Sequence, residues 1–350
     1  MSSNTASKRQ IVSAETKILV AALIVMIAFF SWIEPRFLSV AVLHAAASQL
    51  PELGILTLAM LLPTLTGGLN LAITFTANIA GLVLAATMLQ SGGVYAGEGS
   101  FLAGSALGLV AGALCGGVMG AVIATTGAHP ILVSLAMMIF LRGLGEFLTQ
   151  GGDISSFPPF VSHLGQGSVL GVPFPALILV LCLFGTHFLL SRTRLGFYTY
   201  MVGSNIEATR FSGINTRAVI IAVYAVSGLL SAIAGIVMLT RFNSIRVGHG
   251  ESYVLITILA CFLGNVDPHG GFGRVAPVAA ALVLLQVLSS GVNMIGANQH
   301  LATAIWGFLL LGVMGARWMS SAFSDLRNRH RFRAKIEQSS LKADVQANVG

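Results

Sequence analysis

Charge is missing from this chain over stretches far longer than a soluble fold tolerates. No Asp, Glu, Lys or Arg occurs between Glu52 and Glu98, or between Glu98 and Arg142. Further uncharged spans run from Asp153 to Arg192, Arg217 to Arg241, Glu251 to Asp267 and Arg274 to Arg317. A helix needs roughly 20 apolar residues to cross the hydrocarbon core of a bilayer. Backbone groups in lipid must satisfy one another, so spans of this kind are read as helices. The longer ones are interrupted midway by clusters of Gly, Pro, Ser or His and hold two helices each. With 9% charged and 55% hydrophobic residues in 350, the composition excludes an ordinary soluble domain. The expected fold is all-α and integral to the membrane, with about ten transmembrane helices near 18–33, 50–66, 69–90, 101–125, 131–150, 173–190, 218–240, 251–264, 275–295 and 300–316. The eighth is short for a full crossing and reads as tilted or broken.

Three regions follow. Residues 1–17 form a polar, basic N-terminal segment, 18–316 the polytopic domain, and 317–350 a basic tail. No small-residue cleavage site follows the first apolar run, so that run reads as a retained helix and not a signal peptide. The net charge of +7 does not imply nucleic acid, because most Lys and Arg flank the apolar spans. Such flanks set orientation and favour anionic lipid headgroups. With both termini cytoplasmic, the inner side collects Lys8, Arg9, Lys17, Arg192, Arg194, Arg210, Arg217, Arg274 and the tail. The outer side keeps Arg36, Arg241, Arg246 and Arg142. The outer loop 151–172 is rich in Gly, Ser and Pro, and the inner loop 191–217 carries more information.

Within the fourth span Gly104, Gly108, Gly112, Gly116 and Gly120 recur every four residues. That spacing stacks them on one helix face, where a neighbouring backbone can approach closely. Cys115, Cys182 and Cys261 each lie inside an apolar stretch without paired spacing, which reads as packing and implies no disulfide or metal site. There is no G-x-x-x-x-G-K-[ST] phosphate loop, nor even a Gly-Lys dipeptide, so the chain has no ATP site of the usual kind. No H-E-x-x-H and no G-x-S-x-G elbow occurs either. These absences lead to the expectation of a transport subunit without catalytic residues, metal or cofactor.

Proton-coupled carriers need ionisable groups along the path. Only Glu52 and Glu146 could lie within helices. Glu52, next to Pro51, is expected at the start of a helix at headgroup level. Glu146 follows Arg142 by four residues and can pair with it on one face. A stand-alone secondary transporter or channel therefore stays open as the alternative, but lacks a visible coupling-ion site. The inner loop supplies another source of energy. Asn205 can cap a short helix, Glu207 suits its positive start, and Gly213 fits its stop. A small capped helix between two membrane helices is suited to be gripped by a partner protein.

At this loop the sequence resembles the ribose-type branch of ABC importer permeases. The likeness runs from about residue 50 to 316 in five ordered motifs. The family's T-x-G-G-I-D-L-S-V-G is similar to Thr66-Gly-Gly-Leu-Asn-Leu-Ala-Ile73, and its T-L-x-x-x-x-x-x-R-G-L to Ser134-Leu-Ala-Met-Met-Ile-Phe-Leu-Arg-Gly-Leu144. Its G-V-P-x-P and T-R-L-G-R-Y resemble Gly171-Val-Pro-Phe-Pro175 and Thr193-Arg-Leu-Gly-Phe-Tyr198. The coupling pattern G-x-N-x-x-A-x-x-x-S-G-I is met by Gly203, Asn205, Ala208, Ser212, Gly213 and Ile214. A glycine-rich pattern is met in part over Gly264–Arg274. Asn70 stands where the family usually has Asp, and Gly264-Asn265 where it has Gly-Gly.

The resemblance implies a type II ABC importer-like permease in a bacterial inner membrane, moving a monosaccharide or related small polar solute. It implies ABC ATPase subunits, a periplasmic sugar-binding protein and a second permease copy as partners. Residues 203–214, with Glu207 and Arg210 among them, would sit in a groove on the ATPase. The glycines and Asp267 of the 264–274 loop would make a tight cytoplasmic turn. Sugars are held by amides, hydroxyls and aromatic faces. Asn70, Thr74 and Asn78, spaced four apart, and Ser289, Ser290 and Asn293 are the polar patches that could line a translocation path or hydrogen-bond between helices.

Overall fold

The computed structural model describes residues 19–296 except 170, together with 301, 304–312 and 315. The segments 1–17 and 317–350 lie outside the described residues. The helices are α1 (Leu19–Ile33), α2 (Val40–Leu65), α3 (Ile73–Gln90), α4 (Glu98–Thr126), α5 (Pro130–Thr149) and α6 (Pro159–Gln166). They continue as α7 (Phe174–Arg192), α8 (Arg194–Ser204), α9 (Ile206–Phe211), α10 (Thr216–Phe242), α11 (Tyr253–Leu263) and α12 (Val275–Met294). Among the described residues seven are long and apolar enough to cross a membrane, namely α2, α3, α4, α5, α7, α10 and α12. The shorter apolar helices α1 and α11 occupy the first and eighth expected spans. Residues 304–312, in a second compact unit that begins at Ala304, are helical within the tenth.

Interior and periphery differ in pattern. From Pro51 to Leu65 every residue of α2 is buried, as are most of α3. Helices apolar on all sides belong in an interior. Here α10 is the hub, packing on α4, α2 and α3. By contrast α5 leaves Leu132, Phe140 and Phe147 exposed, and α7 leaves Leu181, Phe184 and Phe188 exposed. Apolar faces this broad require lipid or another apolar surface.

The glycine face of α4 closes the packing. All five of its glycines are buried. A Cβ on Gly108 would stand 2.8 Å from the Ala80 carbonyl oxygen, and one on Gly112 2.6 Å from that of Gly228. One on Gly116 would run into the Tyr224 carbonyl. Backbones of α4, α3 and α10 therefore touch directly, as small residues permit.

Three boundaries differ from expectation. Helix α2 begins at Val40, with the Ser39 hydroxyl accepting from the Val42 amide at 3.4 Å, and runs through Pro51. Membrane helices tolerate an internal proline because neighbours compensate the lost bond. Helix α3 begins at Ile73 and leaves Asn70 in the α2–α3 break. Finally, α6 and α8 occupy stretches that read as loops.

Short antiparallel pairs tie the loops together. Ile154–Ser155 pairs with Ser244–Ile245, joining the α5–α6 connection to the α10–α11 connection. Ser168–Val169 pairs with Val172–Pro173 just before α7.

Candidate functional site

Residues 203–214 form a capped, projecting turn of helix. Asn205 is extended, and its Oδ1 accepts from the Ala208 amide at 2.9 Å. Its carbonyl oxygen accepts the Thr209 hydroxyl at 2.7 Å. Thr209 is buried, while Ile206, Glu207, Ala208, Arg210, Phe211, Ser212 and Gly213 are exposed. Helix α9 is thus held by one buried threonine and its cap. The Ser212 hydroxyl donates to the Ala208 carbonyl at 2.9 Å, and Gly213 adopts φ +80° to turn the chain. Nothing lies within 4 Å of a Cβ placed there, so a side chain would be resisted by the backbone and not by crowding. Asn215 then caps α10, its Oδ1 accepting from Ala218 at 3.1 Å. Phe211 went unnoticed in the sequence because it fills a variable position of the motif. The residue is 88% exposed, beside a capped polar turn.

Beside α9 lies a groove of about 560 Å³ bounded by Thr126, Gly127, Glu207, Arg210, Arg217 and Ile220. On its other flank the 264–274 turn packs against α2 and α8. Asp267 Oδ1 accepts from the His269 amide at 2.9 Å, and the Asp267 carbonyl from Gly270 at 3.0 Å. The Gly271 amide donates to the Leu65 carbonyl at 2.9 Å, and the Tyr200 hydroxyl to that of Gly273 at 2.8 Å. Burial pushes the Tyr200 hydroxyl up from its ordinary pKa, against the nearby Arg274 charge. That hydroxyl stays protonated as a donor at neutral pH.

The polar patches go to different places. Asn70, Thr74 and Asn78 are buried between helices. Asn70 Nδ2 donates to Ser227 Oγ on α10 at 2.9 Å, and its Oδ1 accepts from the Ala72 amide at 3.0 Å. The Ser227 hydroxyl passes on to the Ala59 carbonyl at 2.6 Å, so one chain of hydrogen bonds joins the break to α10 and α2. Asn78 holds the α10–α11 loop, donating to the His249 carbonyl at 3.2 Å and accepting from the Gly248 amide at 3.0 Å. The buried Thr74 hydroxyl between them has no hydrogen-bond partner among the described residues. Ser289 and Asn293 stand on α12, half-buried and exposed respectively. Gln286, one turn before Ser290, donates to Gln49 Oε1 of α2 at 3.3 Å and to Ser290 Oγ at 3.4 Å.

The end opposite α9 holds the Arg–Glu ion pairs. Glu52 lies halfway along α2 and is fully buried, not at a helix start. Its Oε1 accepts from Arg241 at 2.6 Å and its Oε2 from the Tyr253 hydroxyl at 3.4 Å, which clamps α2 to α10 and α11. Arg142 meets Glu146 at 3.0 Å, as the four-residue spacing predicts, and also Glu251 at 3.0 Å. The His249 ring lies tilted against Phe242 with centroids 5.1 Å apart, and burial with Arg246 nearby lowers its pKa, while Asp153 opposes. The Cys115, Cys182 and Cys261 thiols are unpaired.

A buried polar seam, broad apolar flanks and one capped, exposed helix are the features of a polytopic membrane protein. Its family is identified by comparison. The chain belongs to the family described as branched-chain amino acid transport system / permease component, matched over residues 42–314. It is 31% identical to the ribose import permease protein RbsC of Escherichia coli over 301 residues, 85% of this chain and 91% of that one. It is 28% identical to the autoinducer 2 import system permease protein LsrD of Photorhabdus laumondii over 316 residues, 89% of this chain and 93% of that one. The Yersinia enterocolitica LsrD is also 28% identical, over 308 residues. No solved structure gives a significant match. The protein is therefore a multi-pass membrane permease subunit of an ABC importer, not an enzyme.

Proposed function

We propose that this permease admits a monosaccharide or a related small polar solute, driven by ATP hydrolysed within partner ATPase subunits that dock at α9. The projecting α9 carries the reading. Gly203, Asn205, Ala208, Ser212, Gly213 and Ile214 match the coupling pattern in order, with Glu207 and Arg210 at its open positions. The turn also presents an aromatic ring beside an arginine, a pairing enriched where proteins dock. In this reading the α9 end is cytoplasmic, which places Arg192, Arg194, Arg210, Arg217 and Arg274 inside. A periplasmic binding protein delivers solute at the opposite end, a second permease copy completes the pathway, and lipid covers the apolar flanks. The chain supplies no phosphate loop, so the energy comes from those subunits. A carrier driven by a coupling ion fits less well, because the buried carboxylate Glu52 is already held by Arg241 and Tyr253.

The solute class rests on the relatives, whose names give ribose and autoinducer 2. Asn70, Thr74, Asn78, Ser289 and Asn293 are the polar groups proposed for its path, with Thr74 the one whose buried hydroxyl has no hydrogen-bond partner among the described residues. Gly213→Trp and Arg210→Glu are expected to leave insertion intact while solute no longer stimulates ATP hydrolysis in the reconstituted importer. Unchanged solute-stimulated hydrolysis in both variants would refute the docking role.

A further inference from the structure

The three segments that meet just before α9 approach most closely through glycine backbone, with the Tyr200–Gly273 hydrogen bond beside that contact. Gly203 closes α8, Gly67 follows α2, and Gly270 and Gly271 lie in the 264–274 turn. A Cβ on Gly203 would collide with the Leu65 carbonyl oxygen and the Gly271 amide nitrogen. One on Gly67 would stand 2.8 Å from the His269 carbonyl oxygen. One on Gly270 would stand 2.5 Å from the Gly67 nitrogen and 3.0 Å from the Gly203 Cα. The Gly271 amide fastens the crossing to the last turn of α2 through the Leu65 carbonyl. Contacts between backbones cannot be relieved by a rotamer change, so a displacement of one segment is passed to the others.

The crossing has an input and an output. Asn205, two residues after Gly203, caps α9. On the other side Gly67 opens the α2–α3 break, where Asn70 is tied to Ser227 and Ser227 to Ala59. Nothing about the coupling pattern requires glycine at 67, 270 and 271 together; their mutual contact does.

We infer that Gly67, Gly203, Gly270 and Gly271 form a rigid backbone crossing that carries displacement of α9 to the α2–α3 break and its Asn70–Ser227 link. The inference rests on α9 being the ATPase-facing element. These glycines are positioning residues: they touch neither solute nor nucleotide.

Two variants of the complete importer and a control test it in proteoliposomes, with its ATPase and binding protein present. In Gly67→Ala, whose new methyl meets the His269 carbonyl oxygen at 2.8 Å, the ATPase subunits still co-purify and hydrolyse ATP, but solute moved per ATP falls about tenfold. Gly185→Ala, with nothing within 4 Å of its new methyl, leaves that ratio unchanged. Tyr200→Phe removes the side-chain hydrogen bond from α8 to the Gly273 carbonyl and leaves the glycine contacts in place, so the ratio stays unchanged there too. A tenfold fall in Tyr200→Phe would show that a side chain and not the backbone crossing carries the displacement, and would overturn the inference. So would an unchanged ratio in Gly67→Ala, or loss of ATPase co-purification in it, which would make Gly67 a docking residue. Failure of the docking reading is seen separately, as Arg210→Glu keeping full coupling. Should Gly67→Ala not insert, Tyr200→Phe decides alone.

Discussion

At the scale of single residues, Glu52 shows what a local reading can and cannot reach. A proline at 51 resembles the first residue of a helix, and that placed Glu52 at a membrane surface. The helix instead runs ten residues further back, and Glu52 is buried against an arginine 189 positions away. No spacing rule reveals such a partner. Arg142 and Glu146 were legible because four residues is one helical turn, but the second partner, Glu251, lies 109 positions on and was not. Removing one member of a buried pair strands the other charge, at a cost of about 3–5 kcal/mol, whereas replacing both with apolar residues is close to neutral. Glu52→Leu is therefore expected to destabilise the permease by about 3 kcal/mol, and Glu52→Leu with Arg241→Met to recover most of it. Unfolding in detergent micelles measures both. A double variant no more stable than the single would refute the pairing.

At the scale of elements, what the sequence showed depended on periodicity. Long apolar spans and a four-residue glycine repeat are periodic, so α3, α4, α5, α7, α10 and α12 stood within a few residues of their observed bounds. The repeat also announced a close helix contact, though not that α10 and α3 supply it. Helices α6 and α8 have 8 and 11 residues and no apolar run long enough to show a period. They stayed hidden. Adjacent glycines of α4 offer a clean contrast. A methyl on Gly116 meets the Tyr224 carbonyl, whereas one on Gly117 comes only within 3.9 Å of Ala225. Overpacking costs about 1–3 kcal/mol, and relief of glycine's helix penalty returns about 1 kcal/mol. Gly116→Ala should lower the thermal midpoint in micelles, while Gly117→Ala leaves it equal or raises it. Equal behaviour of the two would contradict the direct backbone contact of α4 with α10.

At the scale of the whole molecule, the candidate site divides in two. The α9 turn was legible because caps and turns carry specific residue types, Asn205 and Gly213 among them. Phe211 was not, since an exposed ring has no signature until its surroundings are seen. The path residues were chosen by spacing alone, and three dimensions sorted them. Asn70 ties the α2–α3 break to α10, Asn78 holds the loop at Gly248 and His249, and the Thr74 hydroxyl has no hydrogen-bond partner among the described residues. The Arg–Glu pairs lie at the opposite end, where Glu52, Arg241 and Tyr253 join three helices. A chain built this way has a seam, a clamp and a handle, and on the proposed reading it takes its energy from partner subunits. Uptake by reconstituted protein tests that most directly. Liposomes holding the permease alone should show no solute uptake above empty vesicles. Adding its ATPase subunits and ATP inside, with loaded binding protein outside, should start it. Uptake by the permease alone would contradict the account.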